Sequence, residues 1–141
     1  MEYLKLPLNL GAYFEQQKIP RCNLEASIMR NLHLLITTLQ AEHKANANYG
    51  VQFWDYDYDT HLQNAERREI IIQSIKEQVT QHEKRLQQVT IEVIVKNDTV
   101  AQQQIMVQRR RVEITIQGLI IRNKEPLTFR TAFFIGPLHF D

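Results

Sequence analysis

Cysteine is almost missing from this 141-residue chain, where Cys22 stands alone. A lone thiol cannot close an internal disulfide, which fits a reducing compartment. Glycine is scarce as well. Gly11, Gly50, Gly118 and Gly136 never cluster, so the chain offers no glycine-rich loop to cradle a phosphate. An excess of one charge sign is also lacking. A formal net charge of +1 gives no global field toward nucleic acid or an anionic membrane. No apolar run approaches the roughly 20 residues that cross a bilayer. The start, Met1 to Pro7, has no basic segment leading into a continuous apolar one, as a secretory leader would. The expected location is therefore cytoplasmic, without direct membrane insertion.

What is present is a globular balance, 43% hydrophobic and 23% charged. The length favours one domain over 1–141, with 1–22 as an N-terminal arm. A core of this size buries about two thirds of the unfolded surface. In the arm, Leu4, Leu6, Leu8 and Leu10 share one parity, which predicts a short extended segment with one buried side. Asn23 can cap a helix over about 24–39, whose stripe runs Leu24, Ile28, Leu32, Leu35 and Leu39. A long connection follows, with Asn46, Asn48 and Gly50 as turn formers. Asp59 or Thr60 can cap a second helix, which carries Leu62, Ala65, Ile71 or Ile72, Ile75 and Val79 inward and Glu66 to Glu69 outward. It should end near Gln81 to Glu83. The period then switches to two at Val89, Ile91, Val93 and Val95. Asn97-Asp98 reads as a turn. A second strand carries Val112, Ile114 and Ile116, with Gly118 as a bulge or close approach. A turn at Asn123 to Pro126 leads to a third strand over about 127–135. The order predicts an α+β fold: two main helices packed on a small antiparallel three-stranded sheet.

Candidate chemistry is sparse. His33, His43, His61, His82 and His139 show no ligand spacing, so neither metal nor cofactor is expected. Cys22 lacks a nucleophile motif and reads as a small buried thiol. Glycosidase chemistry needs two carboxyls about 5 to 9 Å apart across a cleft. Glu83, Asp55, Asp57 and Asp59 are its candidates. The last three alternate with aromatics, and Trp54 among them suits a protein interface or a local core. Arg109, Arg110 and Arg111 would point to opposite faces of a strand in turn. They read as a solvated edge or a protein salt-bridge site, and they discourage wrong strand pairing until an acidic partner arrives. Glu83-Lys84-Arg85 places an acid and a base two apart where helix becomes strand. The arginine fork suits a carboxylate or carbonyls. An ordinary charged helix end has the same composition, and spacing alone favours that reading.

Taken in order, these features resemble a known family, the lysozyme-like baseplate wedge proteins of contractile phage tails, and most closely their type VI secretion counterparts, the TssE family. Ser27 to Thr38 is similar to the family's opening helix, Asn48-Tyr49-Gly50 to its loop, and Ile75 to Val95 to its helix, Glu-Pro-Arg signature and valine-rich strand. Val112 to Gly118 fits its next strand. The signature falls on Glu83 and Arg85, with Lys84 in the place of proline. The resemblance implies a structural, non-enzymatic subunit that has no small-molecule substrate. It implies docking onto wedge subunits of the TssF, TssG and TssK kind and onto sheath proteins, with the signature residues Glu83 and Arg85 engaging the partner; Lys84, Arg109, Arg111 and Trp54 are further partner-binding candidates from the reading of the residues themselves. Two alternatives come from other classes: a peptidoglycan hydrolase and a small nucleic-acid binder.

Overall fold

The computed structural model describes residues 2–51 and 63–137. Two short strands, β1 (Tyr3–Leu4) and β2 (Arg21–Cys22), pair antiparallel around a short helix, α1 (Leu10–Phe14). Then come α2 (Leu24–Thr37), α3 (Asn64–His82) and three long strands, β3 (Leu86–Gln102), β4 (Ile105–Ile120) and β5 (Pro126–Pro137). The strands form an antiparallel meander in the order β3-β4-β5. The expected α+β layering holds.

The apolar periods explain the packing. On α2, Ile28, Leu32, Leu35 and Ile36 are buried, and on α3 Ile71, Ile75 and Val79. They meet the inner face of the sheet, where Val93, Val112, Ile114, Ile116 and Phe129 point. Each such aliphatic side chain contributes about 1.5–3 kcal/mol. Asn23 caps α2 as its sequence position suggests, accepting from the Ala26 amide at 2.8 Å.

Several expectations need correction. The parity of Leu4 to Leu10 does not mark a buried side, because Leu4, Leu8 and Leu10 are all exposed. The β1–β2 ribbon is only two pairs long, and Leu10 already belongs to α1, whose buried residue is Ala12. The cap of α3 is Gln63, in a reciprocal box with Glu66, rather than Asp59 or Thr60. Ala65 is exposed and Arg67 is buried, because Arg67 stands one turn before Ile71 on the inner face. Cys22 is half-buried, its thiol 3.8 Å from the Leu4 carbonyl. Leu62 lies outside the described residues.

The strand β3 also runs straight through Asn97 and Asp98, which pair with Arg110 and Arg109. The turn sits instead at Gln103 and Gln104, both left-handed (φ 49° and 68°). Two successive left-handed residues make the tight hairpin whose twist matches that of its strands. The irregularity expected at Gly118 is present, with the extra residue on the facing strand: Gln88 and Val89 together oppose Gly118. A Cβ at Gly118 would come within 3.3 Å of the Gln87 carbonyl oxygen.

Candidate functional site

The junction between α3 and β3 holds Glu83, and Gln78 lies just before it; both are buried polar side chains. The last helical bond runs from the Glu83 amide to Val79 O at 2.9 Å. No proline stops the helix here, and side chains do the work instead. Lys84 Nζ donates to Thr80 O at 2.7 Å, and Asn31 Nδ2 reaches across from α2 to His82 O at 3.2 Å. Both donors satisfy carbonyls that the helix end leaves open.

Glu83 then turns inward and is 3% exposed. Its carboxylate accepts a two-pronged contact from Arg85, Nε to Oε1 and Nη2 to Oε2, both at 2.8 Å. The Arg85 amide adds a bond to Oε1 at 3.1 Å, and Asn31 Nδ2 adds one to Oε2 at 2.7 Å. Arg85 Nη1 donates to Ser27 Oγ at 2.9 Å. Its guanidinium lies over the Tyr3 ring, 5.5 Å from the centroid. The acid and base therefore form a clip that ties α2, the arm and the junction together. Burial alone would push the Glu83 carboxyl up, but hydrogen bonds from Arg85 and Asn31 and the Arg85 charge hold it below the usual range. The Glu83 contact pushes Arg85 up in turn, against the opposing effect of burial.

A second clamp holds the neighbouring loop. The Gly50 amide donates to Gln78 Oε1 at 2.8 Å, and Gln78 Nε2 donates to Asn48 O at 2.9 Å. Between them, Tyr49 donates to Asn31 Oδ1 at 3.3 Å and packs edge-on against His82. Burial, followed by the Glu83 charge, raises the Tyr49 phenol. Gly50 has φ +107°, and a Cβ there would sit 2.5 Å from Thr38 O. The stretch Asn48-Tyr49-Gly50 is thus wired to α2 and α3 at once.

Arg109 and Arg111 are elsewhere. They point to the outer face of the sheet, on the same side as Glu113. Arg111 Nε pairs with Glu113 at 3.1 Å, and Arg109 stacks over Phe134 at 5.8 Å. From Ile120, which faces Leu86, to Arg111 the strand runs nine residues, or about 30 Å. Arg110 alternates to the inner side, so the triplet is not one patch. Trp54, with Asp55, Asp57 and Asp59, lies outside the described residues. Among the described residues, no three of His, Cys, Asp and Glu come together in a way that could hold a metal. No described helix is long and apolar enough to cross a membrane.

Sequence reasoning found the acid and base but not their holders. Asn31 and Gln78 each interrupt an apolar stripe, Asn31 between Ile28 and Leu35, Gln78 three residues after Ile75. A polar residue on a buried face needs a partner, and that was the available signal.

No curated protein matches the chain significantly. A Geobacter sulfurreducens protein of known crystal structure, described by name only as a tail lysozyme, superposes with a TM-score of 0.58 at 14% identity. The match covers 86% of this chain and all of that one, and at such identity it concerns the fold alone. A sequence profile described as baseplate wedge protein gp25 matches residues 22–125, from β2 through α2, α3, β3 and β4. By that match across most of its length, the chain belongs to the baseplate wedge gp25 family, structural components of phage-tail-like baseplates.

Proposed function

We propose that this chain is a non-catalytic wedge subunit of a type VI secretion baseplate, which docks onto TssF-, TssG- and TssK-type subunits and helps to start the sheath. The observation that carries this reading is the family match over 22–125, with Glu83 and Arg85 standing where the resembled proteins keep their Glu-Pro-Arg signature. In this reading the clip holds the docking surface rigid, and Lys84 and the outer edge of Arg85 are what a partner meets. Residues 1–22 act as an arm laid over α2, supported by Arg30 Nε donating to Leu6 O at 2.6 Å. β3 and β5 are the edge strands of the described sheet, and backbone groups along such an edge suit strand addition by a sheath protein. The working place is the cytoplasm.

The test is genetic and biochemical. Cells lacking the chain should form no sheaths, and the wild-type chain should restore them and co-purify with the wedge subunits. Arg85→Ala, checked for folding by circular dichroism, should restore neither. Normal sheath assembly in deleted cells would overturn the reading.

The name of the solved relative raises wall hydrolysis as a second reading. A general acid needs a raised carboxyl pKa, whereas that of Glu83 is lowered and its oxygens are all engaged. A turbidity assay on purified peptidoglycan should stay flat. Lysis that disappears with Glu83→Gln would favour the hydrolase.

A further inference from the structure

The clip borders a cleft of about 240 Å³ that no chemistry within the chain uses. Its apolar walls are Tyr3, Leu24 and Ile121, and its cations are Lys84, Arg85 and Arg122. Among the described residues, no acidic side chain lines it. Ile121 is 43% exposed, unusual for a large aliphatic side chain at a strand end that is otherwise pinned. The pin is the Ile121 amide, which donates to Arg85 O at 2.9 Å and so fixes the end of β4 against the junction.

The charges in the cleft do not cancel. Glu83 already neutralises Arg85. Lys84 meets only a neutral carbonyl, Thr80 O. Arg122 makes no ion pair among the described residues, and the nearest turn acid, Glu125, is engaged by Asn123 at 2.8 Å. Two exposed cations, Lys84 and Arg122, thus flank the apolar walls, with a third cation, Arg85, locked between them. The cleft is too small for a typical cofactor, since such sites occupy about 300–1,000 Å³. It has room for one or two side chains.

We infer that this cleft receives a segment of a partner wedge subunit bearing a carboxylate side chain within one helical turn of an aliphatic one. The carboxylate sits between Lys84 and Arg122, and the aliphatic group covers Ile121 and Tyr3. Arg85 is the fixed floor of the contact, while Glu83 keeps it in place and does not touch the partner. Tyr3 comes from the arm, before residue 22 where the family match begins, so part of the cleft is this chain's own addition. The inference rests on the wedge-subunit reading and names the chemistry of what binds.

The test uses the full chain co-expressed with the wedge subunits of its own machine. A zero-length carbodiimide joins a lysine amine to a carboxylate, and peptide mass spectrometry then locates the link. Wild type should link Lys84 to an aspartate or glutamate of a wedge subunit. Lys84→Arg should keep co-purification and lose the link. The double variant K84E/R122E changes two exposed side chains and gives up the Lys84 bond to Thr80 O; with its fold verified by circular dichroism, it should weaken association on the order of tenfold or more, as close charge pairs do. If the wild-type chain does not associate with the wedge subunits, the wedge reading and this inference fail together. If it associates but Lys84 gives no link, or K84E/R122E binds as wild type does, only the cleft inference is overturned.

Discussion

With glutamine at position 83, Arg85 keeps its neighbours but loses its counter-charge. Glu83 is closed to water, whereas the Arg85 side chain is 32% exposed, so solvent screens the loss only in part. Glu83→Gln should destabilise the chain by about 2–3 kcal/mol at pH 7, read by urea unfolding. The pH dependence follows from the lowered carboxyl. Its folded pKa lies below its unfolded one, so the stabilisation is full above the unfolded value of about 4.3 and drains away as pH falls through the folded value. Wild type and Glu83→Gln should therefore converge in stability on acidification below about pH 4. A gap that stays constant down to pH 2.5 would deny the clip its ionic character. At Gly50, alanine meets both a left-handed backbone and the Thr38 carbonyl. Gly50→Ala should cost about 2–3 kcal/mol, and its amide should lose protection against hydrogen exchange along with that of Val51.

Elements differ in how openly the sequence declares them. The helix α2 was legible because its stripe and its Asn23 cap agree. The strand β3 was legible at its valines and illegible at Asn97-Asp98, where local turn preference is overruled by pairing with β4. The arm misled for a related reason: parity reports a buried face only if a neighbour is there to bury it. Glu83 and Arg85 could be picked out because only Lys84 separates them in sequence, whereas Ser27 and Asn31 join them from α2, Tyr49 reaches Asn31 from the following loop, and each looks ordinary alone. The hairpin turn at Gln103 and Gln104 is the least suited of the local choices, since both residues hold positive φ. Replacing the pair by Asn-Gly should raise stability by about 1 kcal/mol. A thermal melt checks this, and a lower melting temperature would mean that the two glutamines make contacts worth more than the strain.

Across the whole molecule, the junction faces the C-terminal end of β4 while Arg109 and Arg111 stand near the middle of that strand, so a partner patch that includes both Arg85 and Arg111 has to follow the sheet. The same geometry bears on how the chain folds. The meander joins neighbours in sequence through short turns, and closing short loops costs little entropy. The clip joins residues far apart: 52 positions separate Asn31 from Glu83, and 58 separate Ser27 from Arg85. Contacts of that span form late unless something else has already drawn the chain in. The sheet should therefore assemble first, with α2 closing over it in the final step. Ile114→Val in the sheet should slow folding, giving a φ-value above about 0.5, while Asn31→Ala should chiefly speed unfolding, with a φ-value below about 0.3. Glu83 and Arg85 then act as a latch that catches only once the rest is built, so a chain with an intact clip has passed its last folding step.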